Sequence, residues 1–217
     1  MKKYILFDND GVLIETEIWY FEASKRALKE FFDLELTYER YMDIMAKGQR
    51  AWVIAEEIGI SEDKIIVARE QRDRYYQEYI KTKDIAIDGV LDTLEKLSKD
   101  FKMGIVTTSR RVDFELAHDS RGIVDFMEFV LCVEDYPRSK PHPDPYLKGM
   151  ELFGASKDEC IIVEDSKRGL SSAVNAGIEC AIVYNEFTKT HDFSDASYRV
   201  KKITELPELL NFIHCNK

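Results

Sequence analysis

Apolar residues along this chain follow two rhythms that divide it into three stretches. The first stretch is a short unbroken run, Tyr4-Ile5-Leu6-Phe7, followed at once by Asp8-Asn9-Asp10-Gly11-Val12. Such a run predicts a buried strand, and Gly11 predicts a sharp turn away from its end. Residues 15 to about 83 then place apolar side chains at helical spacing. The segments 15–32 (with Ile18, Phe21, Leu28, Phe31 and Phe32), 38–58 and 62–80 predict three helices laced with opposite charges four residues apart. From Ile85 onward the rhythm alternates. Buried strands are predicted at 103–106, 129–133, 160–163 and 180–183, and helices at 89–97, 112–118, 144–152, 169–176 and 206–213. Strands alternating with helices of this length imply an α/β fold, a parallel sheet with helices on both faces. The helical block after the first strand is then an inserted second domain over the active end of the sheet. The expected division is a core of residues 1–14 and 85–217 and a helical insert of residues 15–84.

The remaining composition narrows the function. With 217 residues, 45% apolar and 33% charged, the chain can bury a substantial core. A net charge of −10 argues against a nucleic-acid partner, which needs a basic face. It leaves room for a small anionic substrate, because a few local cations and a metal can reverse the field inside one cleft. Cys132, Cys160, Cys180 and Cys215 lack metal-binding spacing and read as buried free thiols. The basic start Met1-Lys2-Lys3 precedes an apolar run too short for a signal peptide, and no stretch reaches the ~20 apolar residues of a membrane span. A cytoplasmic protein without membrane partners is expected.

Polar residues at the predicted strand ends carry the chemistry. In open α/β sheets, ligands sit beyond the carboxyl ends of the strands, where Asp8 and Asp10 fall. Two close carboxylates repel unless a cation lies between them or one keeps a proton. The same pair could instead be an acidic turn that caps a helix. Strand 103–106 runs into Thr107-Thr108-Ser109, whose hydroxyls and amides suit phosphate oxygens at a helix N-terminus or serve as an ordinary N-cap. Strand 160–163 runs into Glu164-Asp165-Ser166, a second acidic pair that supplies, with Asp8 and Asp10, the oxygen ligands magnesium prefers. Lys140 lies in Arg138-Ser139-Lys140-Pro141-His142-Pro143-Asp144-Pro145, where prolines stiffen the approach to a helix.

In this order and rough spacing, Asp8-Asn9-Asp10-Gly11-Val12, Gly104-Ile105-Val106-Thr107, Ser139-Lys140-Pro141 and Val163-Glu164-Asp165-Ser166 resemble the motifs of the haloacid dehalogenase superfamily over essentially the whole chain. The insert between the first two motifs resembles the helical cap of its β-phosphoglucomutase and phosphoglycolate phosphatase branch. The resemblance implies a Rossmann-like parallel sheet core with an inserted α-helical cap domain. It implies that Asp8 attacks phosphorus and that Asp10 serves as acid and base. Thr107 and the Thr108 amide then hold phosphate oxygens, and Lys140 offsets negative charge. Mg2+ is implied on Asp8, the Asp10 carbonyl and Asp165, with Glu164 bound directly or through water. Members that cleave carbon–halogen bonds need no metal and lack the second aspartate, so Asp10 favours phosphoryl transfer.

The expected activity is a magnesium-dependent phosphatase acting on a small phosphorylated metabolite through a phospho-aspartate. The expected assembly is a monomer or homodimer. A sugar-phosphate mutase is the alternative. A phospho-acceptor domain fits poorly, because such domains are about half this length and carry no helical insert. Within the insert, the expected substrate contacts are Thr16, Trp19, Tyr20, Lys47, Gln49 and Arg50, with Thr108 joining them from the core. The chain departs from the branch at Glu15, where aspartate is common, at Thr108, where asparagine is common, and at Tyr20, where related mutases place a histidine. In the stretch Lys47-Gly48-Gln49-Arg50, the arginine arrives one residue early.

Overall fold

A computed structural model describes residues 1–46 and 49–215, so Lys47 and its expected substrate contact lie outside the described residues. In chain order the elements are β1 (Tyr4–Phe7), α1 (Glu17–Phe32), α2 (Tyr38–Ala46), α3 (Val53–Glu56), α4 (Glu62–Thr82), α5 (Val90–Leu97), β2 (Lys102–Val106), α6 (Arg111–His118), β3 (Met127–Leu131), α7 (Asp144–Phe153), β4 (Cys160–Glu164), α8 (Lys167–Ala176), β5 (Cys180–Val183), β6 (Tyr198–Val200) and α9 (Leu206–Cys215). They group into two compact units, Met1–Glu15 with Ala86–Lys217, and Thr16–Ile85.

The first unit is built on one parallel sheet of six strands in the order β3-β2-β1-β4-β5-β6. The central strands are buried on both faces, which is why they read as continuous apolar runs. Leu6, Val106 and Ile162 enter one apolar cluster with Tyr146 of α7 and Leu170 and Ala173 of α8. Ile5, Phe7, Ile161 and Val163 alternate with them to the opposite face and are equally inaccessible to solvent. Register aligns the carboxyl ends of the central strands: Phe7 lies beside Ile105 on one side and Val163 on the other. The residues next in line, Asp8, Val106 and Glu164, therefore emerge together at one sheet edge.

Beside the acidic side chains, the backbone at Gly11 and Gly169 leaves no room for a Cβ. Gly11 turns the chain after β1 at φ +81°, and a Cβ there would collide with Asp165 Oδ2. At Gly169, in the first turn of α8, a Cβ would collide with the Glu164 carboxylate. Both glycines let backbone pass against an acidic side chain.

The second unit is helical, with α1 packed along α4. The segment expected as one helix over 38–58 is instead two, α2 and α3, with Gln49 and Arg50 outside helix. Glycine has a low helix propensity, and Gly48 falls in the sequence between the two helices. In the first unit, the third strand lies two residues earlier than 129–133, because Cys132 and Val133 prolong the apolar run past the end of the ladder. The strand β6 has no counterpart in the apolar pattern. It is three residues long and buries only Val200. Cys132, Cys160 and Cys180 are buried free thiols, as expected. Among the described residues, no helix is long and apolar enough to cross a membrane.

Candidate active site

The Asp8 amide donates to Val163 O at 2.8 Å, carrying the β1–β4 pairing one residue beyond β1. The Thr107 amide does the same from β2, donating to Leu131 O at 2.9 Å. These bonds fix the backbone from which Asp8, Asp10 and Thr107 project. Lys140 approaches from the loop before α7. Its ammonium donates to Asp8 Oδ1 (2.7 Å), Glu164 Oε1 (2.7 Å) and Val106 O (2.9 Å). An ammonium has three hydrogens, so this set saturates it.

Glu164 is fully inaccessible and equally well held. Besides Lys140, its Oε1 accepts from the Tyr146 hydroxyl at 2.7 Å. Its Oε2 accepts from the Asp165 amide (3.1 Å), the Ser166 amide (3.3 Å) and the Ser166 hydroxyl (3.1 Å). Burial pushes Glu164 up, but the Lys140 ammonium and these donors bring it below the usual carboxylate range. Burial likewise pulls Lys140 down, and the charges of Asp8 and Glu164 overcome that and hold it above its ordinary value. Asp8 takes the burden of the crowding. Burial and the Glu164 charge, opposed by Lys140, push it up to about 7.

The donor set fits a hard divalent cation. Asp8, Glu164 and Asp165 are all buried, and each presents an oxygen within 4.8 Å of the others. Three carboxylates thus cluster where one ammonium meets two of them, and an all-oxygen set suits magnesium or calcium rather than a softer metal. A cation beside Asp8 would reverse the push on its pKa. The Asp10 side chain lies outside that cluster.

The Asp10 carboxylate is turned toward the hydroxyls after β2. Its Oδ2 accepts from Ser109 Oγ (2.7 Å), Thr107 Oγ1 (3.3 Å) and Asn9 Nδ2 (3.3 Å). Thr107 Oγ1 also accepts from the Ser109 amide at 3.0 Å. The Thr108 hydroxyl accepts from the Arg168 guanidinium at 3.2 Å. Asp8, Asp10, Thr107, Lys140, Glu164 and Asp165 therefore converge, with Thr108 at their margin.

Several participants escaped the sequence analysis. Tyr146 lies in the predicted helix 144–152, where helical spacing does not single out its hydroxyl. Asn185 lies two residues past β5 and donates to Glu15 Oε2 (3.1 Å) and Gly11 O (3.4 Å). The strand-end rule that selected Thr107 would have selected it too. His118 bonds to Asn9 across 109 residues of sequence, a pairing no local pattern announces.

Within the helical unit, Thr16 is buried and Tyr20 half-buried. The Arg72 guanidinium lies 4.2 Å from the Tyr20 ring centroid, and Tyr76 meets that ring edge-on at 5.4 Å. The Trp19 indole donates to Asp84 O at 3.2 Å. Gln49 and Arg50 are exposed.

Comparison with known proteins settles the lineage. The family model described as haloacid dehalogenase-like hydrolase matches residues 5–183. The chain belongs to that family. Among its relatives, Protein CbbY of Rhodobacter capsulatus is 27% identical over 227 residues, covering 95% of this chain and 98% of the relative. Pyrophosphatase PpaX of Bacillus cereus is 26% identical over 180 residues, 82% of each chain. The crystal structure of CbbY from Rhodobacter sphaeroides in complex with phosphate superposes with a TM-score of 0.81 at 20% identity, covering 95% of this chain and 96% of that one. That structural likeness carries the fold, a six-stranded parallel sheet with flanking helices.

Proposed function

We propose that this enzyme is a magnesium-dependent phosphatase that hydrolyses a small phosphorylated metabolite through a phospho-aspartate on Asp8. The observation that carries the proposal is the buried Asp8–Lys140–Glu164 triad, with Asp165 alongside and Asp10 on the same turn. Phosphate monoesters hydrolyse extremely slowly in water, so the site must align a nucleophile and neutralise the phosphoryl oxygens.

Asp8 and Asp165 would hold the cation with the Asp10 carbonyl. Glu164, whose oxygens already take five protein donors, would act through water and through its hold on Lys140. When bound, magnesium keeps Asp8 ionised and neutralises phosphoryl charge. An Asp8 oxygen forms a bond to phosphorus as the bond to the leaving oxygen breaks, and Asp10 delivers a proton to that oxygen. In the second step Asp10 takes a proton from water. The water oxygen bonds to phosphorus, the Asp8–phosphorus bond breaks, and the carboxylate returns. Lys140 holds Asp8 in place throughout, and Thr107 and the Thr108 amide hold phosphoryl oxygens.

Hydrolysis is preferred to sugar-phosphate mutation because Tyr20 stands where related mutases place a histidine, and a phenol cannot imitate an imidazole. A panel of phosphorylated metabolites, assayed for phosphate release with Mg2+ and with chelator, tests the proposal. Full turnover after exhaustive chelation would overturn the metal role. Efficient interconversion of β-glucose 1-phosphate and glucose 6-phosphate would replace hydrolysis by mutase chemistry.

A further inference from the structure

The proposed chemistry gives no task to His118, a buried polar side chain beside the site. His118 ends α6, is 7% exposed, and stacks on Phe114 with ring centroids 4.3 Å apart. Its Nε2 lies 2.7 Å from Asn9 Oδ1, while its Nδ1 is buried without a hydrogen-bond partner. Asn9 stands between the nucleophile and the acid, and its Nδ2 lies 3.3 Å from Asp10 Oδ2.

The hydrogens in this row can run in one direction only. An amide oxygen solely accepts, so Nε2 must carry the imidazole hydrogen and Nδ1 the bare lone pair. Turning the Asn9 amide around would set its oxygen against the Asp10 carboxylate. It would also leave an N–H buried at Nδ1 with no acceptor, and a buried unmet donor costs more than a buried lone pair. Burial keeps the ring neutral, with a pKa lowered to about 4, so the tautomer persists through the physiological range. The donors therefore run from His118 to Asn9 and from Asn9 to Asp10.

We infer that His118 and Asn9 form a one-way donor chain that sets the rotation of the Asp10 carboxylate, which makes His118 a positioning residue for proton transfer to the leaving group. With the Ser109 hydroxyl also donating to Oδ2, at 2.7 Å, the amide of Asn9 completes a two-donor clamp on one oxygen that stays in place when Thr107 turns to the phosphoryl group. Such a clamp fixes the direction in which the carboxyl group presents its proton, and misorientation at this step is expensive in rate. The inference rests on the acid role proposed for Asp10.

The test compares kcat/KM for phenyl phosphate and p-nitrophenyl phosphate, which share a shape and differ in how much the leaving oxygen needs a proton. Asp10→Asn is the reference and should lose far more on phenyl phosphate. His118→Leu should lower kcat/KM on phenyl phosphate by about tenfold and on p-nitrophenyl phosphate by less than about threefold, the scale of one hydrogen bond to a charged network. Inhibition by inorganic phosphate should be unchanged. His118→Gln, whose amide can donate to Asn9 Oδ1, should restore most of the loss. Asn9→Leu should reproduce the same selectivity, and adding His118→Leu to it should lower the rate no further. Equal losses of His118→Leu on both substrates, or a continued loss in the Asn9→Leu background, would overturn the donor chain while leaving the phosphatase intact. A reference Asp10→Asn that does not discriminate between the substrates would instead overturn the acid role itself, and the positioning role with it.

Discussion

Replacing Lys140 by methionine keeps the length and volume of the side chain and removes its charge. The ammonium bridges Asp8 and Glu164 at 2.7 Å each and is itself 5% exposed. Without it, two largely buried carboxylates are left with no cation between them. Removing one partner from a buried ion pair costs about 3–5 kcal/mol, because the remaining charge is left uncompensated. For a chain of this size that corresponds to a fall in Tm of roughly 6–20 °C. The loss should depend on pH in a fixed direction. Burial and mutual repulsion would hold both carboxyl groups of the variant above their unfolded values of about 4. A group raised in this way contributes its stability at low pH and loses it as pH climbs through the folded value. The deficit of Lys140→Met should therefore be largest near pH 8 and shrink toward pH 5. The assay is thermal unfolding of both proteins in chelator across that range, followed by kcat in Mg2+, which should fall about a hundred- to a thousandfold. A variant that melts like the wild type at pH 8, or whose deficit grows on acidification, would refute the reasoning.

Asp8 stands at about 7 when no cation offsets its neighbours, so Mg2+ added to the chelated wild type should raise Tm more at pH 8 than at pH 6; an equal rise would detach Asp8 from the metal. His118 titrates near 4 when folded and near 6.5 when unfolded. Below about pH 6.5 the unfolded chain takes up the proton that the folded one refuses, so the wild type should lose about 3 kcal/mol more than His118→Gln between neutral pH and pH 4. Parallel denaturation curves would contradict that environment. Tyr146→Phe deletes one hydrogen bond to the charged Glu164 and should lower stability by about 1.5–3 kcal/mol, measured by urea unfolding. An unchanged midpoint would show that the hydroxyl is not needed.

How much the sequence disclosed depends on which interactions are local. Central parallel strands are apolar on both faces, so each announces itself as a run and its end as the first polar residue. Asp8, Thr107 and Glu164 were visible for that reason. Strands at the margins obey the rule less well. β3 ends two residues before its apolar run does, and β6 exposes Arg199 and half-buries Tyr198, so it leaves no run at all. Helical periodicity located α1 and α4 but carried across the division between α2 and α3, since apolar spacing does not report a glycine's cost. The supports of the site were hidden for another reason. Tyr146 and His118 occupy buried helix positions where an aromatic ring is ordinary, and only their partners, Glu164 and Asn9, show what their polar atoms do. Asn185 was within reach, because it too comes just after a buried strand.

The central claim, that Asp8 carries the phosphoryl group, is tested most directly by chemical trapping. Borohydride reduces an acyl phosphate to an alcohol, so quenching the enzyme with it during turnover of p-nitrophenyl phosphate in Mg2+ would convert a phosphorylated Asp8 to homoserine. Peptide mass spectrometry should find homoserine at residue 8, and at no other aspartate, only when substrate and Mg2+ are both present. Steady phosphate release with residue 8 unreduced, or with homoserine at another position, would contradict the account.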